Sequence, residues 1–221
     1  MVLHCATDYG RKQVDPIKII EANLILPLNI LHAATRNGVR AFINTDTILD
    51  KGVSDYSLSK KQFLDWLESY SNKIIAINVA LEHFYGPSDD PSKFVTYIIH
   101  SLLSEVSCIQ LTEGLQKRDF IFIDDVVSAF LLIIKNVPSF NNQLYRFEVG
   151  SNQPVQIRRF VELVKRISEN DNTVLDFGAI PYRINEVMSS DVNIIELEKL
   201  GWKPEISLVD GITRTINFEK K

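Results

Sequence analysis

The chain has 221 residues, 45% of them hydrophobic and 24% charged, which fits a folded globular protein of one domain, or one domain plus a small lobe, rather than a disordered chain. With 24 basic and 28 acidic residues, a net charge of −4, it lacks the basic footprint of a nucleic-acid binder. No apolar run approaches the ~18 residues of a membrane span, no basic-then-apolar secretory signal opens the chain, and two cysteines, Cys5 and Cys108, make no disulfide framework, so a reduced, cytoplasmic chain with neither nucleic-acid nor membrane partner is expected.

Val2 to Ala6 reads as the end of a short buried strand. Asp15-Pro16 opens a helix to about Asn37, with apolar spacing at Ile19, Ile20, Leu24, Leu28 and Leu31. Pro27 inside it removes a helical hydrogen bond and predicts a kink or a split. Asn37-Gly38 stops the helix. Val39 to Asn44 reads as a strand, Thr45 to Asp55 as a polar turn region, Tyr56 to about Ser71 as a second helix, and Lys73 to Leu81 as a strand of the buried parallel type. This alternation is half of a doubly wound α/β sheet.

The second half is less regular. A loop at Gly86 to Pro91 precedes a helix from Ser92 to about Val106, strands at Cys108 to Leu111 and Phe120 to Ile123, and a helix from Asp124 to Lys135 capped by Asp124 or Asp125. Then follow a strand at Tyr145 to Val149, a helix from Val155 to Ser168, a strand at Val174 to Phe177, and two short helices, about Val192 to Leu200 and Val209 to Phe218. Ser207 and Asp210 give the last one a capping-box-like start. The expected division is a Rossmann portion over residues 1–86 and a substrate lobe over 87–221, with 108–150 returning elements to the sheet.

Tyr56-Ser-Leu-Ser-Lys60 places a phenol and an ammonium one helical turn apart. An ammonium beside a phenol favours the phenolate, so such a tyrosine can exchange a proton with a carbonyl or hydroxyl. An ordinary surface helix carrying a Tyr and a Lys predicts the same spacing. Position favours the chemical reading, because the helix follows a strand ending in Asn44-Thr45-Asp46-Thr47, and hydroxyls at such an end face the ligand crevice of an open α/β sheet.

The sequence resembles the extended short-chain dehydrogenase/reductase family, the sugar-nucleotide epimerases, dehydratases and reductases. In order, the resemblance is carried by His4-Cys-Ala6, Asn23, Asn44-Thr45-Asp46, Tyr56 with Lys60, Tyr85-Gly86-Pro87 and Arg118-Asp-Phe-Ile-Phe-Ile-Asp124. Arg183 with Asn185-Glu186, then Leu200-Gly-Trp-Lys-Pro204, complete it. Thr7 to Arg11, Phe42 to Thr47 and Leu81 to Gly86 are most similar to the CDP-abequose and CDP-paratose synthase branch. That branch reduces the 4-keto group of a CDP-linked dideoxy sugar with NADPH for lipopolysaccharide O-antigen synthesis. The resemblance implies a Rossmann-type parallel sheet, an NADP or NAD cofactor and a CDP-deoxyhexose substrate.

It also implies roles. Tyr56 protonates the forming C4 alkoxide, Lys60 holds the nicotinamide ribose and lowers the Tyr56 pKa, and Thr45, with Thr47 as runner-up, bonds the keto oxygen. His4, Ala6 and Asn23 join Tyr56 and Lys60 around the cofactor. His83, Lys93, Arg118 and Arg183 contact the substrate, guanidinium forks suiting diphosphate oxyanions. A surface ion pair for either arginine, a solvated helix face for Lys93 and a structural histidine for His83 or His4 are the plain alternatives.

Three departures stand out. Ala80 replaces a frequent Arg. Thr47 stands where dehydratases carry Glu, which disfavours elimination. The nine glycines are too dispersed for a phosphate-cradling loop, the nearest two being Gly201 and Gly211. The resemblance begins at the family's fourth strand, so the expectation is that the cofactor's adenosine half lacks a site in these residues alone. A complementing N-terminal chain, a homodimer, or a catalytically inactive nucleotide-sugar-binding remnant would each answer that absence. A 4-epimerase is the nearest enzymatic alternative. No metal is expected.

Overall fold

The computed structural model describes residues 1–11, 15–184 and 186–221. In chain order the principal elements are β1 (Val2–His4), α1 (Pro16–Arg36), β2 (Ala41–Thr47), α2 (Asp55–Ser69), β3 (Ile75–Leu81), β4 (His83–Tyr85), α3 (Phe94–Leu103), β5 (Cys108–Leu111), β6 (Lys117–Arg118) and β7 (Phe120–Phe122). Then come α4 (Ile123–Asn136), β8 (Leu144–Val149), β9 (Val155–Gln156), α5 (Ile157–Ile167), β10 (Val174–Phe177), α6 (Ile195–Lys199) and α7 (Leu208–Glu219). Two compact units share them. The first comprises Met1–Glu82, Ala129–Val149 and Asn193–Trp202, and the second His83–Ser128, Gly150–Val192 and Lys203–Lys221.

The first unit is built on a four-stranded sheet, parallel throughout, in the order β1-β2-β3-β8. β2 and β3 are buried along almost their whole length because both of their faces are covered, as parallel sheets require; β3 is almost continuously apolar, whereas β2 is apolar over Ala41, Phe42 and Ile43 and polar from Asn44 to Thr47. Leu31 and Ala34 of α1, Phe63 and Leu67 of α2, and Phe42, Ile74 and Ala76 form one cluster of this core.

α1 is long and apolar enough, by length and composition, to cross a membrane, which the expectation from the sequence did not anticipate. A buried stripe accounts for part of its apolarity, while Ile17, Ile25 and Leu26 are exposed. Ile19, Asn23, Pro27, Leu31 and Ala34 form a buried stripe on one face. The polar members of the run leave no uninterrupted apolar segment for sequence inspection to catch. Pro27 neither splits nor ends the helix. A π-helical turn over Glu21–Ile25 precedes it and widens the helix where the proline ring would meet the preceding turn.

The second unit packs its own core around Tyr85, Ile98, Phe120, Phe122, Phe160 and Ile212. β4 pairs with β7, and β10 with β5, both parallel, and β6 pairs antiparallel with β9. The short strands β4, β6 and β9, of two or three residues, escape a periodicity reading. Of the 108–150 stretch, β8 joins the first unit's sheet, whereas β5 and β7 pair inside the second unit.

Two local expectations resolve differently. Neither Asp124 nor Asp125 caps α4 from outside, since the helix already begins at Ile123. Asp125 instead accepts the backbone N–H groups of Glu205 (3.0 Å) and Ile206 (2.9 Å). Ser207 does cap α7, accepting from the N–H of Asp210 and donating to its carboxylate.

Candidate active site

α2 carries both Tyr56 and Lys60. It starts at a capping box in which the Ser54 hydroxyl accepts from the Ser57 N–H and the Ser57 hydroxyl from the Ser54 N–H. Ser57, Lys60, Phe63 and Leu67 fall on the stripe that faces the core. A lysine on that stripe must be desolvated, and Lys60 is 1% exposed. Burial is the main reason its pKa drops to about 8; the Asp46 charge and Cys5 oppose the drop and Lys61 adds to it.

The Tyr56 phenol moves the other way from the expectation. Its pKa is raised, first by burial, then by Tyr9 and Asp46, while a hydrogen bond with Thr47 and the Arg11 charge oppose the rise. Lys60 is not among the causes, so the ammonium does not lower it as the i,i+4 spacing suggested. Desolvation of the phenolate outweighs the neighbouring charge, and the phenol stays protonated at neutral pH. The Tyr9 ring packs tilted against Tyr56 with centroids 5.0 Å apart, and the Arg11 guanidinium lies 4.7 Å from the Tyr9 ring centre.

Of the two candidate hydroxyls, Thr47, expected as runner-up, meets Tyr56 and also accepts from the Leu49 N–H at 3.2 Å. Thr45 is half-buried, and its hydroxyl has no hydrogen bond among the described residues. His4 is buried between Phe42 and Phe63, and its Nε2 has no hydrogen-bond partner among the described residues. Burial, with the Lys60 charge, lowers its pKa to about 4, so the imidazole is neutral. Ala6 is exposed.

Asn23, expected near the cofactor, has its side-chain amide engaged by the protein. Its Oδ1 accepts from the Thr7 hydroxyl (3.1 Å) and the Asp8 N–H (2.8 Å), and its Nδ2 donates to the Asp8 carbonyl (2.8 Å) and the Ser59 hydroxyl (3.1 Å). All four hydrogen-bonding positions of the amide are used by the protein. The residue ties the loop after β1 to α2 and has nothing left for a ligand.

The remaining candidates lie in the second unit. His83 is half-buried, edge-on to Phe120, and its backbone N–H donates to the Asp119 carbonyl. Lys93 pairs with Asp89 at 2.8 Å and lies 3.9 Å from the Phe84 ring centre. Arg118 bonds the Val187 carbonyl and the Glu186 carboxylate, so an ion pair does engage it. Arg183 is exposed and makes no ion pair among the described residues, and Asn185 lies outside them. Asp119, next to Arg118, is fully buried and accepts from the N–H groups of Ser151 (2.6 Å) and Gln153 (3.0 Å), which gives that part of the motif a structural role.

Sequence reasoning missed Asn78, Lys61, Tyr9 and Arg11. Tyr9 and Arg11 lie together in the loop after β1, inside the Thr7 to Arg11 stretch that carried the resemblance, while Lys61 on α2 and Asn78 on β3 had no spacing to mark them. Asp46 carried a signal as the one carboxylate at the end of β2.

Residues 1–150 match the profile of the NAD dependent epimerase/dehydratase family. The chain belongs to that family. It is 38% identical over 223 aligned residues to the CDP-abequose synthase of Salmonella typhimurium, covering 96% of this chain and 73% of that one. It is 32% identical to the CDP-abequose synthase of Salmonella muenchen, over 99% and 76% of the two chains. The family fold is shared with the UDP-glucose 4-epimerase of Thermotoga maritima, solved with UDP-glucose, at a TM-score of 0.86 and 22% identity over 99% of this chain and 76% of that one.

The residues are compatible with the family's NAD cofactor. The His4 Nε2, buried with no hydrogen-bond partner among the described residues, is a polar atom that a bound group could satisfy, and the buried Lys60 lies in the same unit. The 221 residues contain no glycine-rich loop to cradle its pyrophosphate.

Proposed function

We propose that the chain is an NAD(P)-dependent sugar-nucleotide oxidoreductase that reduces the 4-keto group of a CDP-linked deoxyhexose. The observation that carries this reading is the Tyr56 phenol, hydrogen-bonded with the Thr47 hydroxyl and placed on the same helix as the buried Lys60. The family resemblance and the two CDP-abequose synthases support the substrate class.

The cofactor supplies hydride when bound. The chain's own groups supply the rest. Tyr56 Oη donates a proton to the C4 oxygen as it gains negative charge. The hydroxyls of Thr45 and Thr47 orient that oxygen, and the Thr47 contact fixes the phenol. The Lys60 ammonium is assigned to the ribose hydroxyls of the cofactor. His83, Lys93, Arg118 and Arg183 are assigned by the same resemblance to the nucleotide-sugar. For Arg118 this requires exchanging Glu186 for a diphosphate oxygen.

A carboxylate next in sequence to Asp46 would have suited elimination, and Thr47 occupies that place. A 4-epimerase uses the same groups but returns its cofactor unchanged. The experiment that separates the two follows NADPH consumption together with the C4 configuration of the product. A reductase consumes cofactor in proportion to sugar, and an epimerase interconverts C4 epimers with no net consumption.

A further inference from the structure

Asp46 sits at the C-terminal end of β2, where its carboxylate could have faced a substrate. It does not. Its side chain is completely buried, and both oxygens are taken by the protein. Oδ1 accepts the Thr47 N–H at 2.7 Å, and Oδ2 accepts the Asn78 amide at 2.9 Å and the Lys61 ammonium at 3.2 Å. Asn78, on β3, in turn accepts from the Asn44 amide at 2.8 Å, its cross-strand register partner. Lys61 makes a second bond, 2.6 Å to the Thr47 carbonyl. One lysine of α2 thus grips the strand end through a side-chain and a backbone oxygen, next to the hydroxyl that meets Tyr56.

A buried carboxylate is costly unless it is paired and fully hydrogen-bonded. The adjacent lysines of α2 divide the task. Lys61 reaches Asp46 directly and is a quarter exposed, whereas Lys60 is buried with no hydrogen bond or ion pair among the described residues.

We propose that Asp46, Lys61 and Asn78 form a charged brace that fixes α2 to the end of β2, acting as positioning residues for Tyr56 and Lys60. The charged and titratable groups acting on Lys60 are Asp46 and Cys5, which hold its proton on, and Lys61, which opposes it, with neutral His4 alongside. Burial outweighs them and lowers the Lys60 pKa to about 8.

This assignment rests on the proposed roles of Tyr56 and Lys60, but its test needs neither cofactor nor sugar. The full chain is labelled with ¹³C at lysine Cε, the Lys60 signal is identified by its loss in Lys60→Arg, and its midpoint is followed against pH. Asp46→Asn is expected to lower the midpoint by about a unit or more. Lys61→Met, which removes a like charge, is expected to raise it, and Lys61→Arg to restore the wild-type value. If Asp46→Asn does not fold, the partly exposed Lys61 site still decides the matter. A midpoint unmoved in Lys61→Met, or moved in the same direction by both substitutions, overturns the proposal even if both variants melt earlier. A chain without reductase activity can still show these shifts, and an active chain can fail to show them.

Discussion

The Tyr9 ring lies 5.0 Å from the Tyr56 ring at an interplanar angle of 40°, so the two phenols are in direct contact. Aromatic contact of this kind excludes water from Tyr56, and exclusion of water is the main reason that the Tyr56 proton is held so firmly. Tyr9→Ala is therefore expected to lower the Tyr56 titration midpoint. The measurement is the ultraviolet difference titration of Tyr9→Ala against Tyr9→Ala/Tyr56→Phe. An unchanged or higher midpoint would show that Tyr9 does not shield it.

Lys60 weakens the fold it serves. Its pKa is about 8 when folded and higher in the unfolded chain, so the unfolded state binds more protons between those values and stability rises with pH across that window. Below about pH 8 the buried charge costs on the order of 3 kcal/mol. Lys60→Met is expected to be more stable than the wild type at pH 7, with the gain vanishing as pH rises past ~10. A less stable Lys60→Met at pH 7, measured by denaturant unfolding, counts against this account.

His4 contributes in the acid range. Its folded pKa of about 4 lies below the unfolded value, so the unfolded chain takes up a proton first as pH falls. Stability falls from about pH 6.5 down to about pH 4. His4→Gln is expected to flatten that part of the stability profile, as read by thermal melts at successive pH values.

Gly211 lies inside α7, where alanine ordinarily gains about 1 kcal/mol. Here a Cβ would come within 2.2 Å of the buried Tyr85 hydroxyl and 3.0 Å of Phe122. Gly211→Ala is expected to destabilise by about 1–3 kcal/mol. Tyr85→Phe removes the nearest clashing atom, so the double variant should recover part of the loss, a non-additivity that denaturant unfolding can read.

The sequence carried the strand–helix alternation of the first unit because its elements are long and periodic, and it carried Tyr56 and Lys60 because helical spacing joins them. The sign of the Tyr56 shift was not legible. It depends on Tyr9 and Asp46, residues brought near by the loop after β1 and by β2, and on a depth of burial that no spacing encodes. Asn23 was legible as a site residue but not as a spent one, since its four partners come from Thr7, Asp8 and Ser59. Strands of two or three residues, such as Lys117–Arg118, form where tertiary contacts set the register, and they leave no period to detect.

Because these residues include no glycine-rich phosphate loop, fewer backbone donors meet a cofactor pyrophosphate. CDP is expected to bind the chain more tightly than NADPH in calorimetry. Equal or tighter NADPH binding contradicts that expectation.

The central claim is that Tyr56 donates the proton in a 4-keto reduction. Its most direct test is nicotinamide absorbance with a CDP-4-keto-deoxyhexose at saturating NADPH, for the wild type and Tyr56→Phe. The account predicts NADPH consumption in proportion to sugar reduced, abolished in Tyr56→Phe while CDP binding is unchanged. Turnover retained in Tyr56→Phe, or C4 interconversion without NADPH consumption in the wild type, would contradict it.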